Sequence, residues 1–276
     1  MKKIFPIALA LFLLFGSASS IAQEQKYPVM LYRKGWEQLT AKEADKIMEQ
    51  PVININTGEP FKLKMEQSED GNVQYVSTPR EYSELIKEGY YFSGYTTYDI
   101  IDNGLFRNVV TPLIYYMKAK SSKHSYVRDF TFDKNDPLSM LPLTFINWVG
   151  SDQRKAIERA TKQNKSWRDI SPNVRVIKVE KDRIDLYDTF GEDFYKDGHK
   201  YKGNMASNVL SLAVLGDFNG DGYEDVVFEC AHYLVEGTGR VYYFTVLTRK
   251  SEGAILEDIT DEVDKTLWAI KTLRKK

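Results

Sequence analysis

Residues 208–233, NVLSLAVLGDFNGDGYEDVVFECAHY, place an acidic, glycine-containing loop between two apolar runs. Valine, leucine and phenylalanine dominate both runs, and these residues favour strands. The loop between them is short, and short connections join antiparallel neighbours. The stretch therefore predicts a strand, loop, strand hairpin.

Further strands are predicted on both sides of this hairpin, at residues 174–180 (VRVIKVE), 183–188 (RIDLYD) and 240–248 (RVYYFTVLT). Short links separate them, which indicates an antiparallel meander, closed by a short helix within residues 261–271. We expect an α+β fold in which residues 23–168 form a mixed part with a few short helices. Residues 169–276 form the β-rich domain, and the boundary falls in the polar stretch 164–173.

Two helices in the first half are predicted from their capping signals. Thr40 with Glu43, and Thr78 with Glu81, have the spacing of capping boxes, and Gly89 ends the second helix. A third helix is expected at residues 151–164. Residues 89–100 (GYYFSGYTTYDI) alternate like a strand, and residues 113–132 are predicted as two strands joined at residues 121–125. The tyrosines of this region suit either hairpin packing or a platform for stacking sugars.

The first 22 residues, MKKIFPIALALFLLFGSASSIA, combine a basic start, an apolar run and a small-residue end. This order is typical of a secretory signal peptide, with cleavage expected before Gln23. No later run approaches about 18 uncharged apolar residues, so no transmembrane segment is predicted. We expect a mature protein in the periplasm or outside the cell.

Charge and cysteine content exclude two classes of protein. The chain has 38 basic and 39 acidic side chains, and loss of Lys2 and Lys3 with the leader leaves 36 basic side chains and a net charge of −3. This charge gives no electrostatic reason to expect nucleic-acid binding. Cys230 is the single cysteine, so no intramolecular disulfide can form. Stability must come from core burial, which a bound metal can assist.

The acidic loop has the oxygen spacing of a cation site. Side-chain oxygens fall at the first, third, fifth and ninth positions, the seventh can add its backbone carbonyl, and Gly222 at the sixth allows a sharp turn. A site with only oxygen ligands favours Ca²⁺ over zinc. Glu224 is expected to point away into solvent. The predicted calcium ligands are Asp217, Asn219, Asp221, Tyr223 through its carbonyl, and Asp225.

The pattern D-x-N-x-D-G-x-x-D followed by an apolar strand resembles the calcium loop of FG-GAP repeats, the integrin-type repeat that builds β-propeller blades. The resemblance covers residues 209–233 in a single copy, and the family's ligands map onto the five residues just named. Phe228 stands where an EF-hand loop has glutamate, and strands rather than helices are predicted beside the loop. One calcium hairpin within a smaller sheet is therefore expected rather than a full propeller.

No catalytic residue is predicted. Cys230 and His232 share one face of a predicted strand, which suits either a catalytic pair or a buried thiol beside a hydrogen-bonded histidine, and the second interpretation is favoured. The sequence thus favours a non-enzymatic, secreted or periplasmic calcium-binding module that binds a protein or a glycan. The alternative is a secreted hydrolase with a structural calcium site. No oligomeric state of the protein is predicted from the sequence.

Overall fold

The hairpin predicted at residues 208–233 lies in the middle of an antiparallel sheet. The computed structural model describes residues 27–32, 36, 39–67, 70–128, 137–143, 159–160, 162–163, 165, 175–180, 183–189, 194–196, 199–201, 205–234 and 240–267. The strands are β1 (Met30–Leu31), β2 (Leu63–Gln67), β3 (Val73–Val76), β4 (Tyr90–Phe92), β5 (Arg175–Glu180), β6 (Arg183–Thr189), β7 (Phe194–Lys196), β8 (His199–Tyr201), β9 (Met205–Gly216), β10 (Asp225–Leu234), β11 (Arg240–Thr248) and β12 (Glu257–Asp258). The helices are α1 (Ala41–Met48), α2 (Pro79–Lys87), α3 (Thr97–Lys118), α4 (Pro137–Met140) and α5 (Thr260–Leu267).

The main sheet has the strand order β12-β11-β10-β9-β6-β5, and β1 also pairs with β9. All of its pairings are antiparallel, so the predicted meander is confirmed. Two details differ from a simple meander. The hairpin β7-β8 is inserted between β6 and β9, and β1 comes from the first part of the chain. Helices and antiparallel sheets together make the fold α+β, as predicted.

Both faces of the main sheet are covered, because strand residues alternate between two hydrophobic clusters. Val227 and Val246 belong to the cluster that contains α3, whereas Val226, Phe228 and Leu247 belong to the cluster that contains Leu138 of α4. These five side chains are at most 2% exposed. The cluster around α3 runs from Leu31 to Leu267 and so includes residues from both sides of the predicted boundary.

The helices predicted from capping signals are confirmed. In α1 the Thr40 hydroxyl accepts from the Glu43 amide, and the Glu43 carboxylate accepts from the Thr40 amide at 2.9 Å. Thr78 and Glu81 form the same capping box at α2, and Gly89 follows that helix with a φ of 86°. The predicted closing helix is α5.

The strands predicted at residues 93–100 and 113–118 are wrong. Only Tyr90–Phe92 is a strand there, and residues 97–118 form the long helix α3 instead. Thr96 caps α3 in a capping box with Asp99, and Phe106, Val110 and Ile114 are completely buried in the core. Burial of this helix against β9 and β10 outweighs the strand preference of its Tyr, Thr and Val residues. After α3, residues 120, 122 and 124 form isolated bridges. The second predicted strand, at 126–132, is not a strand at residues 126–128, and its remainder lies outside the described residues.

The smaller part of the molecule contains the sheet β3-β2-β4. The signal peptide predicted at 1–22 lies outside the described residues. So do most of the helix predicted at 151–164, of which residues 159–160 are helical, and most of the boundary predicted at 164–173. In the described ranges, no helix has both the length and the apolar composition needed to cross a bilayer.

Candidate metal centre

The acidic loop connects the end of β9 to the start of β10. Gly216 and Asp225 face each other as the last pair of the two antiparallel strands. Phe218 in the loop is buried, and its ring packs edge-on against Tyr115 of α3, with ring centroids 5.5 Å apart. The predicted hairpin geometry is therefore confirmed, and an aromatic contact fixes the loop against the core.

Asp217 is buried and folds back over its own loop. The Gly220 amide donates to its Oδ1 at 2.6 Å, and the Gly222 amide donates to its Oδ2 at 3.0 Å. Both glycines have positive φ, 82° and 87°, which confirms the turn expected at Gly222 and adds a second at Gly220. Each carboxylate oxygen has two lone pairs, so these bonds leave Asp217 able to accept further.

Asp225 is completely buried, and its two oxygens differ. The Phe218 amide donates to Oδ2 at 2.9 Å, whereas Oδ1 is buried without a hydrogen-bond partner. The hydroxyl of Thr248, the residue opposite in β11, is also buried and has no partner with hydrogen-bond geometry. Burial is the main reason that the pKa of Asp225 is raised to about 7. The nearby Asp221 and Asp217 carboxylates also raise it, whereas the Thr248 and Phe218 groups lower it.

Asn219 and Asp221 shape the exposed rim of the loop. The Asp221 amide donates to Asn219 Oδ1 at 3.2 Å, and the Tyr223 amide donates to Asp221 Oδ1 at 2.9 Å. Asp221 Oδ2 forms an ion pair with Lys250 Nζ at 2.8 Å. Although partial burial raises the pKa of Asp221, the bond from Lys250 and the Tyr223 amide lower it overall.

The loop thus brings Asp217, Asp221 and Asp225 near enough for their charges to interact, and Tyr223 lies in the same loop. Across the described residues, no group of three or more His, Cys, Asp or Glu side chains is already arranged to hold a metal ion. Asp217 accepts from two amides of the loop, and Asp221 pairs with Lys250. The donor set is still chemically suited to a hard cation, because every candidate side chain offers oxygen.

A segment distant in sequence braces the loop, and sequence reasoning missed it. We call residues 120–128 the bracing segment. Lys120 and Asp217 exchange two backbone hydrogen bonds, of 3.0 and 2.9 Å. The amides of Lys123 and His124 both donate to the Gly222 carbonyl. These residues were predicted as a separate hairpin, and no pattern in the sequence links them to the loop.

The expectation that Glu224 is solvated is wrong. Its side chain is completely buried and forms a bidentate ion pair with Arg128 of the bracing segment, at 2.7 to 3.0 Å. Arg128 also lies over the Tyr27 ring, 5.1 Å from its centroid, and donates to the Pro28 carbonyl. The Glu224 carboxylate is therefore a structural anchor and is not available to a metal.

Cys230 and His232 were considered as a catalytic pair, and both are buried. Burial raises the pKa of the Cys230 thiol well above its ordinary value, which disfavours the nucleophilic thiolate. Nδ1 of His232 is 2.7 Å from Asn208 Oδ1, and burial lowers the pKa of this imidazole. Cys230 is thus a buried thiol and His232 a hydrogen-bonded histidine, which is the interpretation favoured over a catalytic pair.

Comparison with known proteins gives no relative: no protein-family model, no curated protein and no solved structure matches this chain. Function must therefore be argued from the residues of the site.

Proposed function

We propose that this is a secreted or periplasmic calcium-binding protein, a non-enzymatic module whose β9–β10 loop holds one Ca²⁺ and whose surface binds a protein or a glycan. The ligands would be those predicted: Asp217, Asn219, Asp221, the Tyr223 carbonyl and Asp225. The observation that carries the proposal is the buried Asp225 carboxyl group, with Oδ1 unpartnered and two further carboxylates nearby.

A bound cation would relieve the unfavourable features of this group. A buried polar atom without a partner costs about 1–3 kcal/mol, and carboxylates that lie close together repel each other. Ca²⁺ would supply a partner for Asp225 Oδ1 and would neutralise the local negative charge. The backbone bonds already made by Asp217 would then serve to orient that carboxylate toward the ion.

Lys250 would compete with calcium for Asp221. Its ammonium group pairs with Asp221 Oδ2, while about half of its side chain is exposed. An exposed ion pair of this kind contributes only about 0–1 kcal/mol, so calcium can displace the ammonium group at little cost. Lys250→Gln should therefore increase calcium affinity modestly, because it removes the competitor.

Exposed aromatic side chains support the binding part of the proposal. Tyr95 and Tyr98 are each 81% exposed, and Tyr91 nearby in the chain is 45% exposed. Exposed tyrosines offer flat faces and a hydroxyl group, which suit contacts with sugars and with proteins. Tyr95→Ala combined with Tyr98→Ala should weaken binding in a glycan array or a pull-down without changing the melting temperature.

Calorimetric titration of metal-stripped protein with CaCl₂ tests the calcium site directly. Extracellular calcium modules bind with dissociation constants of about 10⁻⁴–10⁻³ M, and we expect a value in that range with weaker binding of Mg²⁺. Asp217→Ala with Asp225→Ala should abolish the binding heat. Asp70→Asn, in an exposed turn, is the matched control and should leave it unchanged. Wild-type protein that releases no heat and melts identically in EGTA and in 5 mM calcium would refute the site.

A further inference from the structure

A second candidate site lies in a cavity of about 370 Å³ on the face of the sheet covered by α3. Its walls come from α2, β4, α3, β11 and α5, and it includes no residue of the acidic loop. Its volume is within the range of about 300–1,000 Å³ found for small-molecule sites.

Three polar side chains of α3 line the cavity at a spacing of four residues: Asn103, Arg107 and Thr111. Residues four apart lie on the same face of a helix, so these groups form a polar row along one wall. Nε of Arg107 and Oδ1 of Asn103 are both buried, and neither has a hydrogen-bond partner in the described part of the chain. The N–H donor of the Arg107 cation and the neutral acceptor of Asn103 are therefore both unsatisfied, and they lie one helical turn apart.

The structure gives Arg107 no ion-pair partner among the described residues, which contrasts with Arg80 and Arg128. Arg107 as a whole is only partly exposed, and its Nε is buried. A cation held partly out of water is stabilised by an anion or a hydrogen-bond acceptor beside it. Asp264 also lines the cavity, but its Oδ1 accepts from the Tyr115 hydroxyl at 3.0 Å.

The remaining walls are mainly aromatic and aliphatic. Tyr82 and Ile86 of α2, Phe92 of β4 and Phe244 of β11 contribute side chains to the cavity. Such walls suit an apolar or flat group, while the polar row can bind one charged end. The cavity thus combines an anion-binding group, an adjacent acceptor and an apolar compartment.

We propose that this cavity binds a free α-amino acid with an aromatic or large aliphatic side chain. The guanidinium group of Arg107 would bind the carboxylate through charge-assisted hydrogen bonds. The ammonium group, which only donates, would bind the unpartnered Asn103 Oδ1 one turn away. The amino-acid side chain would fill the aromatic compartment. This inference is independent of the calcium site.

Calorimetric titration with L-phenylalanine and L-leucine tests the inference, and two analogues separate the groups. L-phenylalaninamide lacks the carboxylate, and N-acetyl-L-phenylalanine lacks the ammonium group and imitates the end of a peptide. Each charged hydrogen bond contributes about 1.5–3 kcal/mol, so loss of either group should weaken binding about 10- to 150-fold. Repeating the titration in EGTA should give the same affinity.

Variants assign the effect to the polar row. Arg107→Met and Asn103→Leu should each weaken phenylalanine binding by at least about tenfold. Because Arg107 Nε and Asn103 Oδ1 have no hydrogen-bond partner, removing these two atoms breaks no hydrogen bond. Arg107→Lys keeps the positive charge but loses the planar guanidinium group, so it should also weaken binding. It tests the same contact if Arg107→Met does not fold. Arg80→Met, on the exposed side of α2, is the control and should bind normally.

Three results would overturn the inference. The first is no binding of either amino acid at millimolar concentration. The second is equal or tighter binding of N-acetyl-L-phenylalanine or of glucuronate, which would indicate a peptide end or a sugar acid. The third is unchanged binding in well-folded Arg107→Met and Arg107→Lys protein.

Discussion

Burial gives the Asp225 carboxyl group a pKa of about 7 in the folded chain, against an ordinary value of 3.8. Between those values the folded state binds more protons than the unfolded state. The free energy of unfolding of calcium-free protein should therefore fall as pH rises from about 4 to 7, and this residue contributes at most about 4 kcal/mol to the change. Urea denaturation in EGTA at several pH values measures it.

Asp225→Asn keeps the shape of the side chain and removes its charge. We expect this variant to lose most of the pH dependence and to exceed the wild type in stability at pH 8 in EGTA. Asp70→Asn should follow the wild type, because Asp70 is exposed. Parallel pH profiles of the Asp225→Asn variant and the wild type would contradict the assignment of the raised pKa to Asp225.

The ion pair between Glu224 and Arg128 predicts an asymmetry between its two partners. The Glu224 side chain is completely buried, whereas the Arg128 side chain is 26% exposed. Arg128→Met leaves a buried carboxylate without its partner and should cost about 3–5 kcal/mol. Glu224→Gln should cost less, because the guanidinium group can reach water. Chemical denaturation of both variants measures the difference.

Arg80→Met provides the comparison for this pair, because Arg80 pairs with the exposed carboxylates of Asp45 and Glu49. Exposed pairs contribute about 0–1 kcal/mol, so this variant should change stability little. Equal losses from Arg128→Met and Arg80→Met would mean that burial of Glu224 does not matter energetically.

Among the elements, α3 shows why sequence patterns fail where packing decides. Gly104 and Pro112 lie inside this helix, and its second half is rich in Val, Thr, Ile and Tyr, which favour strands. Residues 110–115 are all buried, so no polar face interrupts the apolar run to reveal a helical period. The usable signal was the pair Thr96 and Asp99, whose spacing allows the capping box that forms. In α1 and α2, capping signals coincided with amphipathic stripes, and both predictions were correct.

The sequence predicted the features of the candidate metal centre that lie within the loop itself, but not its contacts with distant residues. Spacing predicted the hairpin and the positive φ of Gly222, because these are local properties of the chain. The ion pair of Asp221 with Lys250 and the contacts of the bracing segment were not predictable, since they join residues far apart in sequence. The same applies to the polar row, whose cavity needs walls from five elements.

Gly216 at the end of β9 and Gly104 in α3 differ in the space available for a side chain. A Cβ at Gly216 would lie 2.7 Å from the Ala119 Cβ and 3.3 Å from the Lys120 carbonyl oxygen, whereas one at Gly104 would meet only Tyr242 Cδ2 at 3.8 Å. Gly216→Ala should therefore destabilise the protein by about 1–3 kcal/mol. Gly104→Ala should stabilise it by about 0.5–1 kcal/mol, because alanine favours the helix.

Thermal or urea denaturation distinguishes the signs of these two changes, and each variant serves as the control for the other. Stabilisation by both alanines would show that β9 and the end of α3 are farther apart than the structure has them.

In the whole molecule, one hydrophobic cluster contains β1, α1, α3, strands of the main sheet and α5. We expect a single cooperative unfolding transition that coincides in far-ultraviolet circular dichroism and in tyrosine and tryptophan fluorescence. At about 1 mM calcium and a dissociation constant of about 10⁻⁴ M, binding should add about 1.4 kcal/mol and raise Tm by about 3–6 °C. The entire transition should move, since the loop is attached to this cluster through Phe218.

Two separate transitions, or a calcium shift confined to one of them, would contradict this expectation. Asp217→Ala with Asp225→Ala should keep the single transition and lose its response to calcium.

The pairing of β1 with β9 has a consequence for how the chain is made. Met30 and Leu31 find their partners, Leu215 and Val214, only after most of the polypeptide has left the ribosome. During elongation this early strand lacks its partner in the sheet, and such long-range pairing forms slowly. The nascent chain should therefore need a holding chaperone until β9 is complete. Moving residues 27–32 behind the C-terminus by circular permutation should shorten that wait and reduce aggregation during expression.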